Sequence, residues 1–379
     1  MKNSKQLTSD FGRFKLERLP KTDKGDLRPW DAADELLLQH ISENKLHEKN
    51  SAILIINDAF GALSCALHKN NIHNWSDSFL SHCAAQQNYE RNALVEPINC
   101  IQSDQALSQN YDLVVIKIPK TLSLLEDQLC QLKPHISADT QIIAGAMSKH
   151  IHTSALKLFE KIIGTTTTSR ATKKARLIFS NNDQTQIHKT PYPKTIHIDE
   201  YDLSLKNHAN VFAKDHLDIG SRFLIEQLPH CPSANTIIDL GCGNGVLGIM
   251  AQRHQAQAQI SFVDESYMAI QSARENYDAL KPNKEGKASF HISNCLSHYK
   301  GDKAQLILCN PPFHQSHSIG DQIAWQMFKQ SFDHLEEGGE LWVVANRHLA
   351  YHSKLKRLFG NCKTQASNKK FVILVAKKT

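Results

Sequence analysis

Ile237-Ile238-Asp239-Leu240-Gly241-Cys242-Gly243-Asn244-Gly245 runs directly into Val246-Leu247-Gly248-Ile249-Met250-Ala251. A β-branched apolar run that ends in an acid and three alternating glycines, with a helical pattern behind it, reads as strand, tight turn and helix. Glycine suits such a turn because it accepts positive φ and lets a ligand approach the backbone where a Cβ would obstruct it. The next apolar run, Ala258-Gln259-Ile260-Ser261-Phe262-Val263, ends in Asp264-Glu265. That places a carboxylate about 20 residues past the glycines, where it can accept hydrogen bonds from a ribose diol. The stretch predicts a β-α-β unit with a nucleoside site at its switch edge, shaped by Asp239, Gly241, Gly243, Asn244 and Gly245, with Asp264 on the ribose. Gly243, Gly245 and Gly248 also satisfy the G-x-G-x-x-G dinucleotide pattern, so a nicotinamide cofactor stays open on this stretch alone.

A second strand end, Leu306-Ile307-Leu308-Cys309-Asn310-Pro311-Pro312-Phe313, separates the two cofactors. The prolines remove backbone donors and fix φ, leaving carbonyl oxygens as acceptors. The Asn310 side-chain oxygen and the Pro311 carbonyl can then both accept from one NH2 group, while the Phe313 ring stacks on a base. An exocyclic amine conjugated to a heterocycle is a poor nucleophile, and two acceptors localise its lone pair toward an electrophilic methyl. The two strand ends together point to methyl transfer from S-adenosylmethionine onto a planar amine. No strong base is required, because the proton can leave after attack.

Residues 53–129 repeat the order of features in residues 237–330 with the chemistry removed. Ile53-Leu54-Ile55-Ile56 is a strand, Gly61-Ala62-Leu63 parallels Gly245-Val246-Leu247, and Asp77-Ser78 parallels Asp264-Glu265. Tyr111 to Lys120 stands where Leu306 to Phe313 stands, yet its end, Lys117-Ile118-Pro119-Lys120, has neither the Asn acceptor nor the aromatic ring. The copy keeps the fold signals and loses the site. The expected architecture is α/β: two tandem Rossmann-like class I methyltransferase domains. The C-terminal one, residues 200–379, is a seven-stranded, mostly parallel catalytic domain. The N-terminal one, residues 1–190, is a degenerate copy that binds no cofactor and supports RNA binding. The join falls in the polar, proline-bearing stretch from Ser180 to Pro193.

These motifs, with Trp30-Asp31-Ala32-Ala33-Asp34-Glu35, Asn57-Asp58-Ala59-Phe60-Gly61, Asn207-His208-Ala209-Asn210-Val211-Phe212, Asp218-Ile219-Gly220 and Ala345-Asn346-Arg347-His348-Leu349, resemble those of the tandem-domain ribosomal RNA guanine-N2 methyltransferases, above all the 23S rRNA branch. The resemblance covers essentially the whole chain. It implies methylation of the N2 amine of a guanine in 23S rRNA, on RNA free of ribosomal protein. It also places Phe212 and Asp218 in a loop over the methyl donor, although residue chemistry alone favours a core aromatic at Phe212. Asn294, at the end of the third strand of the second domain, is expected on the adenine amine. Alternatives are the same chemistry on 16S rRNA, methylation of adenine N6 or of a glutamine amide, and a non-catalytic RNA-binding assembly factor.

Composition agrees. The 379 residues are 41% hydrophobic and 22% charged, enough apolar material for two cores. A net charge of +6 is compatible with a polyanionic partner. No apolar run of membrane-spanning length and no signal-peptide pattern occur, so a cytoplasmic protein is expected; a monomer without an obligate protein partner is expected because the tandem fold covers one face internally. The 9 cysteines show no C-x-x-C pair and read as free thiols, with Cys242 and Cys309 as small fillers. No metal is expected: His348 and His352 lack a zincin glutamate, and His314 and His317 lack further ligands. The stretch from His314 to Asp321 reads as a polar loop that orders on substrate. Lys173, Lys174 and Arg176 suit either RNA contact or protection of an edge strand.

Overall fold

A computed structural model describes residues 6–21, 27–47, 52–280, 287–312 and 317–379, with residues 317–319 described by backbone alone. The chain forms two compact units, Met1–Tyr192 and Pro193–Thr379.

The first unit opens with a hairpin of β1 (Gln6–Ser9) and β2 (Gly12–Lys15), followed by α1 (Ala32–Glu43). The alternating region then gives β3 (Ala52–Ile56), α2 (Ala62–Ala66), β4 (Asn71–Ser76), α3 (Phe79–Arg91), β5 (Asn99–Gln102), β6 (Tyr111–Lys117), α4 (Leu122–Leu132), β7 (Ile136–Met147), α5 (Thr153–Ile162), β8 (Thr166–Thr168) and β9 (Ala175–Ser180). Its seven strands lie in the order β5-β4-β3-β6-β7-β9-β8, parallel except where β9 runs against β7 and β8.

The second unit repeats the plan. A hairpin of β10 (Lys194–Ile198) and β11 (Leu203–Asn207) precedes α6 (Ile219–Ile225). There follow β12 (Thr236–Leu240), α7 (Val246–His254), β13 (Gln259–Asp264), α8 (Tyr267–Leu280), β14 (Ala288–Ile292), β15 (Ala304–Cys309), α9 (His317–His334), β16 (Leu335–Asn346), α10 (Tyr351–Phe359), β17 (Lys363–Ser367) and β18 (Phe371–Lys377). The order β14-β13-β12-β15-β16-β18-β17 is that of the first sheet, and β18 is antiparallel to both neighbours. The chain reverses its direction of travel across the sheet between β12 and β15, which is where ligands bind in open α/β sheets.

Both faces of this sheet are covered, so its central strands read as continuous apolar runs. Ile237, Leu306, Leu308 and Trp342 pack with Leu247 and Met250 on one face. Ile238, Leu240, Ile307 and Val343 pack with Met327, Phe328 and Tyr351 on the other. Helix α10 shows the local logic: Tyr351, Leu355 and Phe359, four residues apart, are buried, and Gly360 at φ +77° ends the helix in the left-handed conformation.

Three expectations change. Each unit begins with a hairpin, which short strands with polar alternate residues conceal in sequence. Asp321 lies in the first turns of α9 and not in a loop that runs through it, while His314 and the rest of 313–316 lie outside the described residues. Pairing of Ile56 with Trp75 and of Leu240 with Val263 makes Ser76, and not Asp77, the counterpart of Asp264. With Ser76 as the reference, Asn88 and Asn276 fall at the same distance in the two copies. Asn88 brackets the Glu17 backbone and bonds the Phe60 carbonyl at 2.8 Å. Asn276 brackets the Lys206 backbone and bonds the Asn244 carbonyl at 3.0 Å.

Candidate active site

At the end of β12 the turn closes through Gly241 and Cys242 N–H groups on the Val263 carbonyl at 2.8 and 3.1 Å, and through Gly245 N–H on the Cys242 carbonyl at 2.8 Å. Gly245 caps α7 at φ +82°, and a Cβ there would lie 3.0 Å from the Ala273 Cβ, so the turn sits hard against α8. Gly243, at φ +54°, differs: a Cβ built on it meets no atom within 4 Å. Its open side is a place where a ligand can lie on bare backbone.

Two carboxylates frame the turn. Asp264 accepts Gly243 N–H at 2.9 Å on one oxygen and Ser266 N–H at 3.0 Å on the other, which leaves lone pairs on both. Asp239 is fully buried, accepts Gly248 N–H at 2.8 Å, and keeps its other oxygen without a partner among the described residues. It therefore acts on the pocket by shaping the start of α7. Burial pushes its carboxyl up to about 8, against the pull of the Gly248 N–H. An unfolded Asp titrates near ~3.9, so between about pH 4 and pH 8 folding takes up a proton and stability falls as pH rises. Asp239→Asn keeps the acceptor for Gly248 without the charge. Urea unfolding from pH 6 to 9 should show the wild type losing up to ~1.4 kcal/mol per pH unit below pH 8 relative to the variant. Parallel curves would refute the assignment.

Asn244 turns its amide inward: Nδ2 donates to Asn207 at 2.9 Å, and Asn207 in turn donates to the Lys214 carbonyl at 3.0 Å. Asn294 lies just beyond β14, nearly buried, with no side-chain hydrogen bond among the described residues. Phe212 is 60% exposed, which overturns the core-aromatic reading: the segment between β11 and α6 carries it outward. Cys242 and Cys309 are buried, and burial raises both thiols well above the ordinary range, as suits fillers.

Asn310 is the centre of the site. Its Nδ2 donates to Asp218 Oδ2 at 3.0 Å and to Ser221 Oγ at 2.9 Å, which uses both amide hydrogens. A carboxylate only accepts, so Asp218 fixes which way the amide points. Asp218 is itself held as the N-cap of α6, with Ser221 N–H on the same oxygen at 2.8 Å. Gly220 permits this, since a Cβ there would come 3.0 Å from Asp218 Oδ2. The Asn310 side-chain oxygen is left buried and, among the described residues, without a partner. Pro311, which has no N–H, is buried beside it, and Phe313 lies outside the described residues. The arrangement is an acceptor for which no donor stands among the described residues. Ser221 is the member that sequence reasoning missed.

The first unit holds the same three positions with different chemistry. Lys117 stands one residue past Ile116 as Asn310 stands one past Cys309. Its Nζ binds Asp31 at 2.8 Å, the N-cap of α1, and Asp34 at 2.7 Å, three residues on. Burial alone would lower the Lys117 ammonium, but the two carboxylates outweigh it and raise it, and burial lifts Asp34 to about 6. Gly241 and Gly243 are replaced by Asn57 and Ala59, while Gly61 keeps the cap at φ +75°. Asp58 holds Ser64 N–H at 2.8 Å, the bond that Asp239 makes to Gly248, from a different place in the chain.

Sheet order, glycine turn and oriented amide define the second unit as an S-adenosylmethionine-dependent methyltransferase fold. Residues 4–184 match the family model for the RLMG N-terminal domain, and residues 202–375 match the methyltransferase small domain. The chain is 47% identical to the ribosomal RNA large subunit methyltransferase G of Pseudoalteromonas translucida, over 96% of each chain. It is 46% identical to the protein of that name from Erwinia tasmaniensis, over 95% of each. The chain belongs to the ribosomal RNA large subunit methyltransferase G family. Its fold is also like that of the T. thermophilus 16S rRNA N2 methyltransferase RsmC, solved with AdoMet and guanosine, with a TM-score of 0.78, 18% identity, and 99% and 97% of the two chains covered. Among the described residues no helix is long and apolar enough to cross a membrane, and no group of three or more His, Cys, Asp or Glu residues could hold a metal.

Proposed function

We propose that the chain methylates the exocyclic N2 of a guanine in 23S rRNA, on RNA free of ribosomal protein. The observation that carries this is the buried Asn310 oxygen, which has no partner among the described residues and whose orientation is locked by Asp218 and Ser221. An amine with two hydrogens matches two acceptors, this oxygen and the Pro311 carbonyl, and Phe313 is the ring that stacks on the base. Holding both hydrogens in the plane turns the nitrogen lone pair toward the electrophile and fixes the attack geometry, which is where most of the rate comes from. The proton then leaves to solvent, so no side chain here has to act as a strong base. The residues present fit the methyl donor, which supplies a methyl on a cationic sulfur. Gly241, Gly243 and Gly245 with Asp239 and Asn244 shape the turn on which it lies, Asp264 takes its ribose and Asn294 its adenine amine. Phe212 and Asp218 stand over it, Asp218 with one oxygen already committed to Asn310. The first unit, residues 1–190, takes no methyl donor in this proposal and holds RNA. Residues 200–379 carry the reaction, in the cytoplasm and as a monomer. A paired guanine must be flipped out to reach such a site.

The test is methyl incorporation from labelled S-adenosylmethionine into deproteinised 23S rRNA, deproteinised 16S rRNA, intact large subunits and DNA, with nucleoside analysis of the product. N2-methylguanosine in free 23S rRNA is expected. Label confined to 16S rRNA, to intact subunits or to DNA would overturn the substrate assignment.

A further inference from the structure

Three residues in a row, Lys206, Asn207 and His208, fasten the end of β11 before the chain enters the segment that leads to Asp218. Two of them hold to α8: Asn276 brackets the Lys206 backbone, His208 N–H donates to Ser272 Oγ at 3.1 Å, and the His208 ring meets Glu275 at 3.0 Å. Asn207 between them is fully buried, and its amide joins two loops. Its oxygen accepts from Asn244 Nδ2 at 2.9 Å, in the glycine turn between Gly243 and Gly245. Its Nδ2 donates to the Lys214 carbonyl at 3.0 Å, four residues before Asp218. Ala213, next to Lys214, stands at φ +53°, a left-handed backbone that alanine keeps only where its surroundings hold it. The bond from Asn207 to the next carbonyl along closes the segment over that bend.

A line of contacts therefore runs from the glycine turn to the amine acceptor: Asn244 to Asn207, Asn207 to the Lys214 carbonyl and, past buried Leu217, Asp218 to Asn310 at 3.0 Å. Breaking it at Asn207 leaves the nearly buried Asn244 amide and the Lys214 carbonyl without these bonds, so a displacement of the turn carries the segment with it. The first unit separates the two halves of this device. Glu17 is bracketed by Asn88 as Lys206 is by Asn276, and Asn88 bonds the Phe60 carbonyl as Asn276 bonds that of Asn244. Arg18 is thus the counterpart of Asn207, and Phe60 that of Asn244. Arg18 still donates to a carbonyl just ahead of the N-cap, that of Arg28 at 2.9 Å, three residues before Asp31. Its tie to the turn is a ring contact, with the guanidinium 4.3 Å from the Phe60 centroid, in place of the amide-to-amide bond. The brace on the N-cap persists where the chemistry is lost, whereas the amide-to-amide bond stands where the glycines and Asn310 are intact.

We infer that Asn207 is a positioning residue for methyl transfer: it couples the glycine turn to the segment ending in Asp218, so that filling the turn fixes the direction of the Asn310 amide before the substrate amine arrives. The inference rests on the reading that the methyl donor lies on the Gly241–Gly245 turn and the amine on Asn310. Asn207 acts through Asn244 and Lys214 and needs no contact with either ligand. The coupling is reciprocal, since an amine already held at Asn310 favours the filled turn by the same factor.

The probe is S-adenosylhomocysteine, added to the full-length chain carrying isotopically labelled asparagine, with the Asn310 side-chain amide assigned in nuclear magnetic resonance spectra by its loss in Asn310→Ala. In the wild type, binding should slow solvent exchange of the Asn310 amide hydrogens by about tenfold, a usual size for coupled sites. In Asn207→Ala the probe should still bind, within about threefold of wild type, and the slowing should be absent. Asn207→Asp keeps the volume and the acceptor for Asn244 but sets a lone pair against the Lys214 carbonyl, so it should behave in the same way. Glu275→Ala loosens the same segment through His208 and should keep the slowing, which separates coupling from mere support. With deproteinised 23S rRNA, both Asn207 variants should lose kcat by about tenfold or more, because the acceptor is no longer held in place. No response of the wild-type Asn310 amide to the probe, an Asn207 variant that keeps the slowing, or a Glu275→Ala chain that loses it as fully, overturns the inference. The two readings fail separately. A wild type that shows the slowing while no RNA accepts methyl defeats the proposed function alone, and 23S rRNA methylated by Asn207→Ala at the wild-type kcat defeats this one alone.

Discussion

Asn310→Ala is expected to abolish methyl transfer, by about a thousandfold or more, in a chain that folds and binds S-adenosylmethionine as the wild type does. The expected size follows from what the side chain does: an oriented, desolvated acceptor acting on charge that develops in the transition state is worth roughly 10²–10³ in rate, and this one also positions the nucleophile. Asn310→Asp should fail as well although it is isosteric, because a carboxylate would face the Asp218 oxygen that now lies 3.0 Å from Nδ2. Asp218→Asn is the informative companion. It lets either amide turn over, so kcat should fall by a larger factor than the KM for the methyl donor rises. Calorimetric titration with S-adenosylmethionine beside single-turnover methylation separates these effects. An Asn310→Ala protein with kcat near wild type would remove the amine-acceptor role.

The second large effect is in the first unit. Lys117→Met keeps most of the side-chain volume and leaves Asp31 and Asp34 facing each other without their cation. Removing one partner of a buried ion pair costs about 3–5 kcal/mol, and the half-exposed Asp31 puts this cluster at the lower end of that range. Part of that is relieved when Asp34 takes a proton. Its folded pKa already lies at about 6, above the unfolded value, and losing the ammonium moves it further up. The destabilisation is therefore greatest at alkaline pH and shrinks as pH falls toward the unfolded value. Amide hydrogen exchange in β6 and α1 at pH 6 and pH 8 would measure it. A variant protected like the wild type at pH 8 would mean that the cluster contributes little.

Much of this could be read from the chain, for a definable reason. Turn glycines, strand-ending acids and an Asn-Pro-Pro end are local, and the backbone leaves few conformations for them, so sequence spacing carries their geometry. The core-aromatic reading of Phe212 failed because burial is not local: nothing in an aromatic residue says whether its loop faces in or out. The hairpins β1–β2 and β10–β11 are hidden because strands of 4 or 5 residues are too short for their alternation to stand out from loop sequence. Ser221 looked like any serine in the first turn of a helix. One signal could have found it, since Asp31 and Asp34 in the first copy have the spacing of Asp218 and Ser221 in the second. A register error of one residue at Asp77 hid how closely the copies correspond.

That correspondence limits the routes by which one copy could become the other. The two settings differ by an exchange of amide for ammonium (Asn310 against Lys117) and of hydroxyl for carboxylate (Ser221 against Asp34), with the capping Asp218 and Asp31 in common. A copy that gains the ammonium first meets a carboxylate already in place and stays balanced in charge. One that gains the second carboxylate first confines two anions beside an amide. Taken in reverse on the present chain, Asp34→Ser is the tolerable single step and Lys117→Asn the damaging one. A duplicated methyltransferase that gives up chemistry along this path therefore has to lose its amine acceptor before its helix is recharged, so the loss of activity comes first and the stabilising ion cluster can only follow it.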